Sequence, residues 1–388
     1  MGERFEVVPE RVAHGGFVVA RHEGVVVFVR HALPGERVVA EVTEGHEGDR
    51  FLRADAVRVL VASTDRVEPP CPFSGPGRCG GCDFQHVSLE GQRELKAAVV
   101  SEQLARLAHV DQEVRVEPVP LEGVRWRTRV QWAVDADGVP GLRKHRSHDV
   151  VRVDDCRIAH PGLPDVTSSR WPDATSVEAI GSAAGEQLRL VTVQDEATFA
   201  DGPVELHERA GGRSWQVSGS GFWQVHPAAA STLVSAVLDG LSPRAGERAF
   251  DLYGGVGLFA GALVDAGCWV WALESGRTAV AAARRNLADA GGRARSSLGR
   301  VEQGLARLPS RTDLVVLDPP RTGAGARVLR DVLARKPRAV AYVACDPAAL
   351  ARDLATAVRH GYVSTSIRAF DLFPMTQHVE CVAVLRPG

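Results

Sequence analysis

Apolar and polar positions change period along the chain, and the changes mark three regions. Residues 25–29 form a short apolar run rich in β-branched side chains, and residues 37–42 and 54–61 alternate at strand period. Turn signals separate them at His14-Gly15-Gly16, His22-Glu23-Gly24 and Pro34-Gly35-Glu36, so residues 1–62 predict a small β-barrel. Residues 89–107 carry an amphipathic helical pattern, residues 125–132 alternate again, and residues 160–215 hold short alternating runs read as further strands of a central region. From residue 221 onward strands and helices alternate: a helix over 228–239, then strands near 248–252, 269–273, 295–301, 314–317, 338–344, 362–370 and 378–385. Such alternation predicts a doubly wound α/β sheet with ligands at the carboxyl ends of its strands. The domains expected are therefore 1–62, 63–220 and 221–388.

The 338–344 strand ends in Tyr342-Val343-Ala344-Cys345, and Asp346-Pro347 opens a helix over 348–358. Asp is a favoured N-cap and Pro a favoured first helical residue. A thiol placed there meets the positive end of a helix, which favours the thiolate. The first strand of the same region runs into Asp251-Leu252-Tyr253-Gly254-Gly255-Val256-Gly257, and Glu274 follows Gly254 by 20 residues at the end of the next strand. A glycine loop with a distant acid suits a nucleoside-bearing cofactor; the loop alone also fits dinucleotide enzymes. Asp318-Pro319-Pro320-Arg321 closes the fourth strand and lacks the aromatic residue expected for amino-group methylation of adenine.

Three cysteines fall within twelve residues, at Cys71, Cys79 and Cys82, and the last two enclose Gly80-Gly81. A Gly/Pro loop has little core in which to bury free thiols, so metal binding is expected, with Cys156 or His86 as a fourth ligand. Spacing leaves zinc and iron–sulfur both open. Between Arg125 and Arg146 six Arg/Lys face two Asp, with Trp126 and Trp132 among them, a pattern that suits RNA contact.

Bulk composition adds bounds. The 388 residues are 45% hydrophobic and 24% charged, an ordinary globular profile, and the formal net charge of -2 excludes a globally basic nucleic-acid binder. The N-terminal ten residues have no apolar signal core and no apolar run reaches spanning length, so a cytoplasmic, monomeric protein is expected.

Ala13-His14-Gly15-Gly16, residues 24–29 and Ala32-Leu33-Pro34-Gly35-Glu36 resemble the TRAM domain, a small RNA-binding barrel. With the cysteine loop, Phe222-Trp223-Gln224-Val225, Asp251-Leu252-Tyr253, Asp318-Pro319-Pro320-Arg321, Tyr342-Val343-Ala344-Cys345 and His378-Val379-Glu380 in that order, nearly the whole chain resembles RNA uracil-C5 methyltransferases. The resemblance implies a Rossmann-like class I methyltransferase domain with an antiparallel last strand, a TRAM-like barrel, and a central α+β iron–sulfur domain. It implies S-adenosylmethionine held by Gln224, Tyr253, Glu274 and Asp318, Cys345 as nucleophile and Glu380 as base. It also implies a [4Fe-4S] cluster on Cys71, Cys79, Cys82 and Cys156, rather than zinc, and RNA (ribosomal or transfer) as substrate. Departures from the family pattern are Gly254 for a cysteine, Leu258 for Asn, Asp346 for Asn, and seven residues rather than five between the first two cysteines. Two rivals are a cytosine-C5 RNA methyltransferase and a non-catalytic RNA-binding protein that keeps the frame.

Overall fold

The structure is a computed structural model that describes residues 2–46 and 48–388. Its first 61 residues hold six strands: Arg4–Val7, Arg11–Ala13, Phe17–His22, Val25–Arg30, Arg37–Glu44 and Phe51–Val61. They form one sheet whose order runs from the first strand through the fifth, sixth, fourth and third to the second. The sheet curls over a single core, in which Phe5 and Val7 from one edge pack with Val18, Ala20, Val27, Val29 and Val38. Alternation places these side chains inward because successive residues of a strand face opposite ways. Sequence pattern alone marked three of the six strands; the others are short or broken by charge.

The middle of the chain builds a second, antiparallel six-stranded sheet from Val150–Arg152, Pro140–Arg143, Arg129–Val134, Ser176–Gly181, Gln187–Val193 and Glu196–Asp201, in that spatial order. Trp126, Val130, Trp132, Cys156, Ile158 and Val177 form its core.

The third sheet has eight strands in the order Ala294–Leu298, Trp269–Glu274, Arg248–Leu252, Leu314–Leu317, Ala339–Ala344, Glu380–Pro387, Tyr362–Phe370 and Val116–Glu117. The first five are parallel and reverse direction of winding between Arg248–Leu252 and Leu314–Leu317, which makes that crevice the topological switch point. Glu380–Pro387 runs antiparallel to both its neighbours.

Two segments expected in the central region pack instead on this last sheet. The helix Leu89–Gln103, capped by Ser88 Oγ accepting from Gly91 N at 3.1 Å, ends in a π-helical turn at Leu104–Ala108. Val100, Leu104, Ala108 and Val116 join the core of the parallel sheet, because the helix buries one face with spacing Gln92, Lys96, Val99, Val100 and Gln103. The hairpin Glu205–Ala210 and Arg213–Ser218 places Trp215 and Val217 in the core on the opposite side of the same sheet. Its alternating pattern predicted strands, and local periodicity carries no signal of which sheet those strands cover.

One ion pair fastens the helix. Lys96 Nζ lies 2.6 Å from Asp371 Oδ1 and 3.0 Å from the Phe373 carbonyl, with both charged groups buried. Removing one partner strands the other charge out of water, at a cost of about 3–5 kcal/mol. Lys96→Ala is therefore expected to lower unfolding free energy by about that amount in a urea titration, and a loss below ~1 kcal/mol would contradict the assignment.

Candidate active site

A cavity of about 820 Å³ opens at the carboxyl ends of the parallel strands. Gln224, Tyr253, Glu274, Asp318, Cys345 and Glu380, six residues singled out from six separate stretches of sequence, all line it. Arg127, Arg321, Phe222 and Phe373 line it as well and received no individual role from sequence reasoning.

Tyr253, Glu274, Asp318, Cys345 and Glu380 are placed by strand ends, whereas Gln224 lies in the loop between Arg213–Ser218 and the helix Ala229–Leu241. The antiparallel register pairs Ala344 with Cys381, so Cys345 and Glu380 are the next facing positions, one just past its strand and one at the start of its own. Cys345 is half-buried and Glu380 is buried. Burial pushes the Cys345 thiol up to about 11, and the nearby Glu380 and Asp318 carboxylates add to this while Arg321 opposes it. Burial likewise raises Glu380 well above the usual carboxylate range, with Asp318 adding and Arg321 opposing. The Glu380 carboxylate therefore opposes ionisation of the thiol.

Asp346 caps the helix Pro347–Arg359 as the sequence predicts: its Oδ1 accepts from Ala349 N at 2.7 Å, with Pro347 in the first turn. Its Oδ2 sits 3.0 Å from His14 Nε2. Hydrogen bonds from His14 and Ala349 hold Asp346 below the usual carboxylate range even though burial opposes this. The same helix is tied to the Asp318 loop, because Asp353 Oδ2 accepts from Ala324 N at 2.8 Å and from the Tyr342 hydroxyl.

The glycine loop is shaped around Glu274. Glu274 Oε2 accepts from Gly255 N at 3.1 Å, and Oε1 accepts from Gly276 N at 2.6 Å and from the Ser275 hydroxyl at 3.2 Å, so Oε2 is the oxygen with a lone pair to spare. Tyr253 takes φ 64°, a left-handed conformation that turns the chain out of the strand. Gly257, at φ 95°, starts the helix Leu258–Asp265 where a Cβ would come within 3.1 Å of Leu287. Asp251 Oδ2 accepts from Ala260 N at 2.9 Å and its Oδ1 is buried without a partner. Burial, with the Glu274 charge adding, raises Asp251 to about 7, and burial with Asp251 raises Asp318 to about 7. Carboxylates held so high by desolvation and mutual repulsion favour a cationic ligand.

The cysteine loop lies apart from the cavity wall. Burial raises Cys79 to about 11 and raises Cys82 and Cys156 as well; Cys156 and Cys71 add to the Cys79 shift, and Cys156 and Cys79 to that of Cys82. The four sulfurs thus occupy one neighbourhood although Cys156 is distant in sequence. Among the described residues no three His, Cys, Asp or Glu side chains are grouped closely enough to hold one metal ion. His86, the alternative ligand, stacks edge-on with His31, with ring centroids 6.0 Å apart.

The basic stretch is mostly paired. Arg125 grips Asp155 with two bonds of 2.6 Å, Lys144 meets Asp149 at 3.1 Å, and Arg146 meets Glu44 at 3.1 Å. Arg127, by contrast, lines the cavity and packs over Trp126 with its guanidinium 5.7 Å from the ring centre. Composition located the charge but not that, among the described residues, Arg127 and Arg143 lack a carboxylate partner while Arg125, Arg129, Lys144 and Arg146 have one.

Strand order, glycine loop and acid describe a doubly wound domain that presents a nucleoside-type cofactor site to a thiol and a carboxylate. Comparison with known proteins agrees. Residues 1–57 match the TRAM domain, and residues 300–387 match the tRNA (Uracil-5-)-methyltransferase model. An uncharacterized RNA methyltransferase of Streptomyces avermitilis is 51% identical over an alignment spanning 100% of this chain and 99% of that protein. One of Bifidobacterium longum is 38% identical across 98% and 96% of the two chains. The solved tRNA (uracil-54, C5)-methyltransferase of Pyrococcus abyssi, in complex with S-adenosyl-L-homocysteine, shares the fold with a TM-score of 0.76, at 22% identity and over 98% and 99% of the two chains. The chain belongs to this family of RNA methyltransferases. No helix among the described residues is long and apolar enough to cross a membrane.

The raised Cys345 thiol makes a direct prediction. Only the thiolate alkylates, so the rate of Cys345 carbamidomethylation by iodoacetamide should climb about tenfold per pH unit from neutrality toward the value near 11. A plateau already reached near pH 8, read by peptide mass spectrometry, would contradict the burial argument.

Proposed function

We propose that the protein methylates C5 of a uracil base in RNA, with S-adenosylmethionine as methyl donor, and that Cys345 is the nucleophile and Glu380 the base. The observation that carries this reading is the facing of Cys345 and Glu380 across one register step, inside the cavity that also holds Glu274 and Asp318. Uracil C5 is a weak nucleophile. Cys345 Sγ adds to C6, and the former C5–C6 π pair becomes an enolate that is nucleophilic at C5. S-adenosylmethionine, when bound, supplies an electrophilic methyl group. Glu380 then removes the proton left on C5, the C5–C6 double bond re-forms, and the C6–S bond breaks to return the thiolate.

The chain's residues fit these tasks. A carboxylate with a raised pKa is a stronger base once ionised, which suits Glu380. Arg321 is the cation that opposes the upward shifts of both groups, so it favours the ionised forms that the addition and the proton removal need. Glu274, whose Oε2 keeps a spare lone pair, suits a ribose hydroxyl, and Asp318 suits a cationic cofactor; Gln224 and Tyr253 complete the wall. Arg127, also on the cavity wall, is placed to meet RNA phosphate.

Cys71, Cys79, Cys82 and Cys156 are the residues that would hold an iron–sulfur cluster. One zinc ion draws four sulfurs to about 2.3 Å each, whereas a cube of iron and sulfide accepts thiolates set more widely around it. Four cysteine donors satisfy either group, and the resemblance to RNA uracil-C5 methyltransferases is what favours the cluster. The cluster's role is to cross-link the central region, since uracil methylation transfers no net electrons.

Mixing the protein with S-adenosylmethionine and RNA containing 5-fluorouridine tests the reading. Fluorine at C5 cannot leave as a proton, so a denaturation-resistant adduct should accumulate and be absent in Cys345→Ala. Glu380→Gln should slow turnover by about 10²–10⁴-fold, the usual contribution of a general base, while still forming adduct with ordinary RNA. No adduct from a folded, cofactor-binding preparation would reject uracil-C5 chemistry.

A further inference from the structure

The barrel turn Ala13-His14-Gly15-Gly16 reaches the catalytic domain at two points. At the first, His14 Nε2 lies 3.0 Å from Asp346 Oδ2. Asp346 follows Cys345 directly, and its other oxygen caps the helix Pro347–Arg359 through Ala349 N at 2.7 Å. One carboxylate thus joins the barrel, the first helical turn and the peptide that carries the thiol. At the second point, Gly16 packs so tightly that a Cβ would lie 2.9 Å from Gln377 Cβ and 3.2 Å from Asp83 Cβ. Gln377 N donates to Asp83 Oδ2 at 3.1 Å, and Asp83 N and Phe84 N donate to the Met375 carbonyl at 3.0 and 2.9 Å. This is the loop that leads into Glu380.

We propose that His14 is a positioning residue: by holding Asp346 it fixes the Cys345 thiol opposite Glu380, and the barrel turn is thereby a working part of the active site. The catalytic half of this statement rests on the uracil-C5 reading; the placement of the thiol does not. An aspartate next to a nucleophilic cysteine opposes its ionisation unless both oxygens are engaged, and here one is engaged by the helix and the other by the barrel. With His14 removed, Asp346 keeps its cap but loses the bond that ties its second oxygen, and with it the peptide carrying Cys345, to the barrel. The groups that otherwise face Cys345 are Glu380, Asp318 and Arg321, and none of them replaces that bond.

The test compares the full-length parent with His14→Ala, His14→Gln, Asp346→Asn and the His14→Ala/Asp346→Asn double variant, each checked for an unchanged melting temperature. In the first readout, Cys345 is alkylated with iodoacetamide near pH 8 and quantified by peptide mass spectrometry. His14→Ala should slow the rate about threefold or more, and His14→Gln, whose amide can still donate to Oδ2, should restore it. Adding His14→Ala to Asp346→Asn should have no further effect, because the charge that His14 holds is already gone. In the second, methylation kinetics should show kcat lowered about tenfold in His14→Ala with KM for RNA changed less than about twofold. Equal Cys345 alkylation in parent and His14→Ala would overturn the proposal whatever the RNA assay shows. A rise in KM alone would make His14 an RNA contact and also overturn it. The expected alkylation pattern in a protein that gives no 5-fluorouridine adduct would leave the thiol-positioning role standing and reject the uracil reading instead.

Discussion

One backbone register governs the site. The last strand, Glu380–Pro387, enters antiparallel between two others and pairs Cys381 with Ala344. Cys345 and Glu380, 35 residues apart in the chain (380 − 345), are consequently neighbours without any side chain needing to search for the other. A shift of one residue would turn Glu380 to the opposite face of the sheet and leave the thiol without a carboxylate. The apolar runs on both strands, buried along their lengths, specify that register strongly: all six residues of Ala339–Ala344 are buried, as are the first six of Glu380–Pro387. Core packing and catalytic geometry are here the same constraint.

Burial then does chemical work. The desolvation that stabilises the sheet also holds Cys345, Glu380, Asp251 and Asp318 in reluctant protonation states. Carboxylates held this way favour a cationic ligand, which would draw them toward their ionised forms. Arg321 is the local cation that opposes the upward shifts of Cys345 and Glu380. Around this centre the three regions interlock through specific polar contacts, namely His14 with Asp346, Asp83 with Gln377, and Lys96 with Asp371.

Much of this was legible from residues alone. Asp346-Pro347 after an apolar run announced the strand-to-helix junction, and the structure has the cap and the proline where the pattern put them. Gln224, Tyr253, Glu274, Asp318, Cys345 and Glu380 converge on one cavity: the last five end, follow or open strands of a sheet whose winding the α/β alternation predicted, and Gln224 comes from the loop before the helix Ala229–Leu241. What periodicity could not carry is long-range assignment. The helix Leu89–Gln103 and the hairpin ending in Ser218 have ordinary amphipathic patterns, and only tertiary packing shows that they cover the catalytic sheet. Nor could composition show that Arg125, Lys144 and Arg146 are neutralised by Asp155, Asp149 and Glu44 while Arg127 faces the cavity. His14 was noticed only as part of a turn, since its partner lies 332 residues away.

In the proposed reaction carbon 5 of uracil receives the methyl group, by way of a thiol added at carbon 6. RNA carrying tritium at uridine C5 tests it directly, with methyl incorporation followed from S-adenosylmethionine in the same reaction. The account predicts one tritium released to water for each methyl group transferred, and neither event in Cys345→Ala. Methyl transfer with full retention of tritium would contradict it, because the methyl group would then reside on another atom.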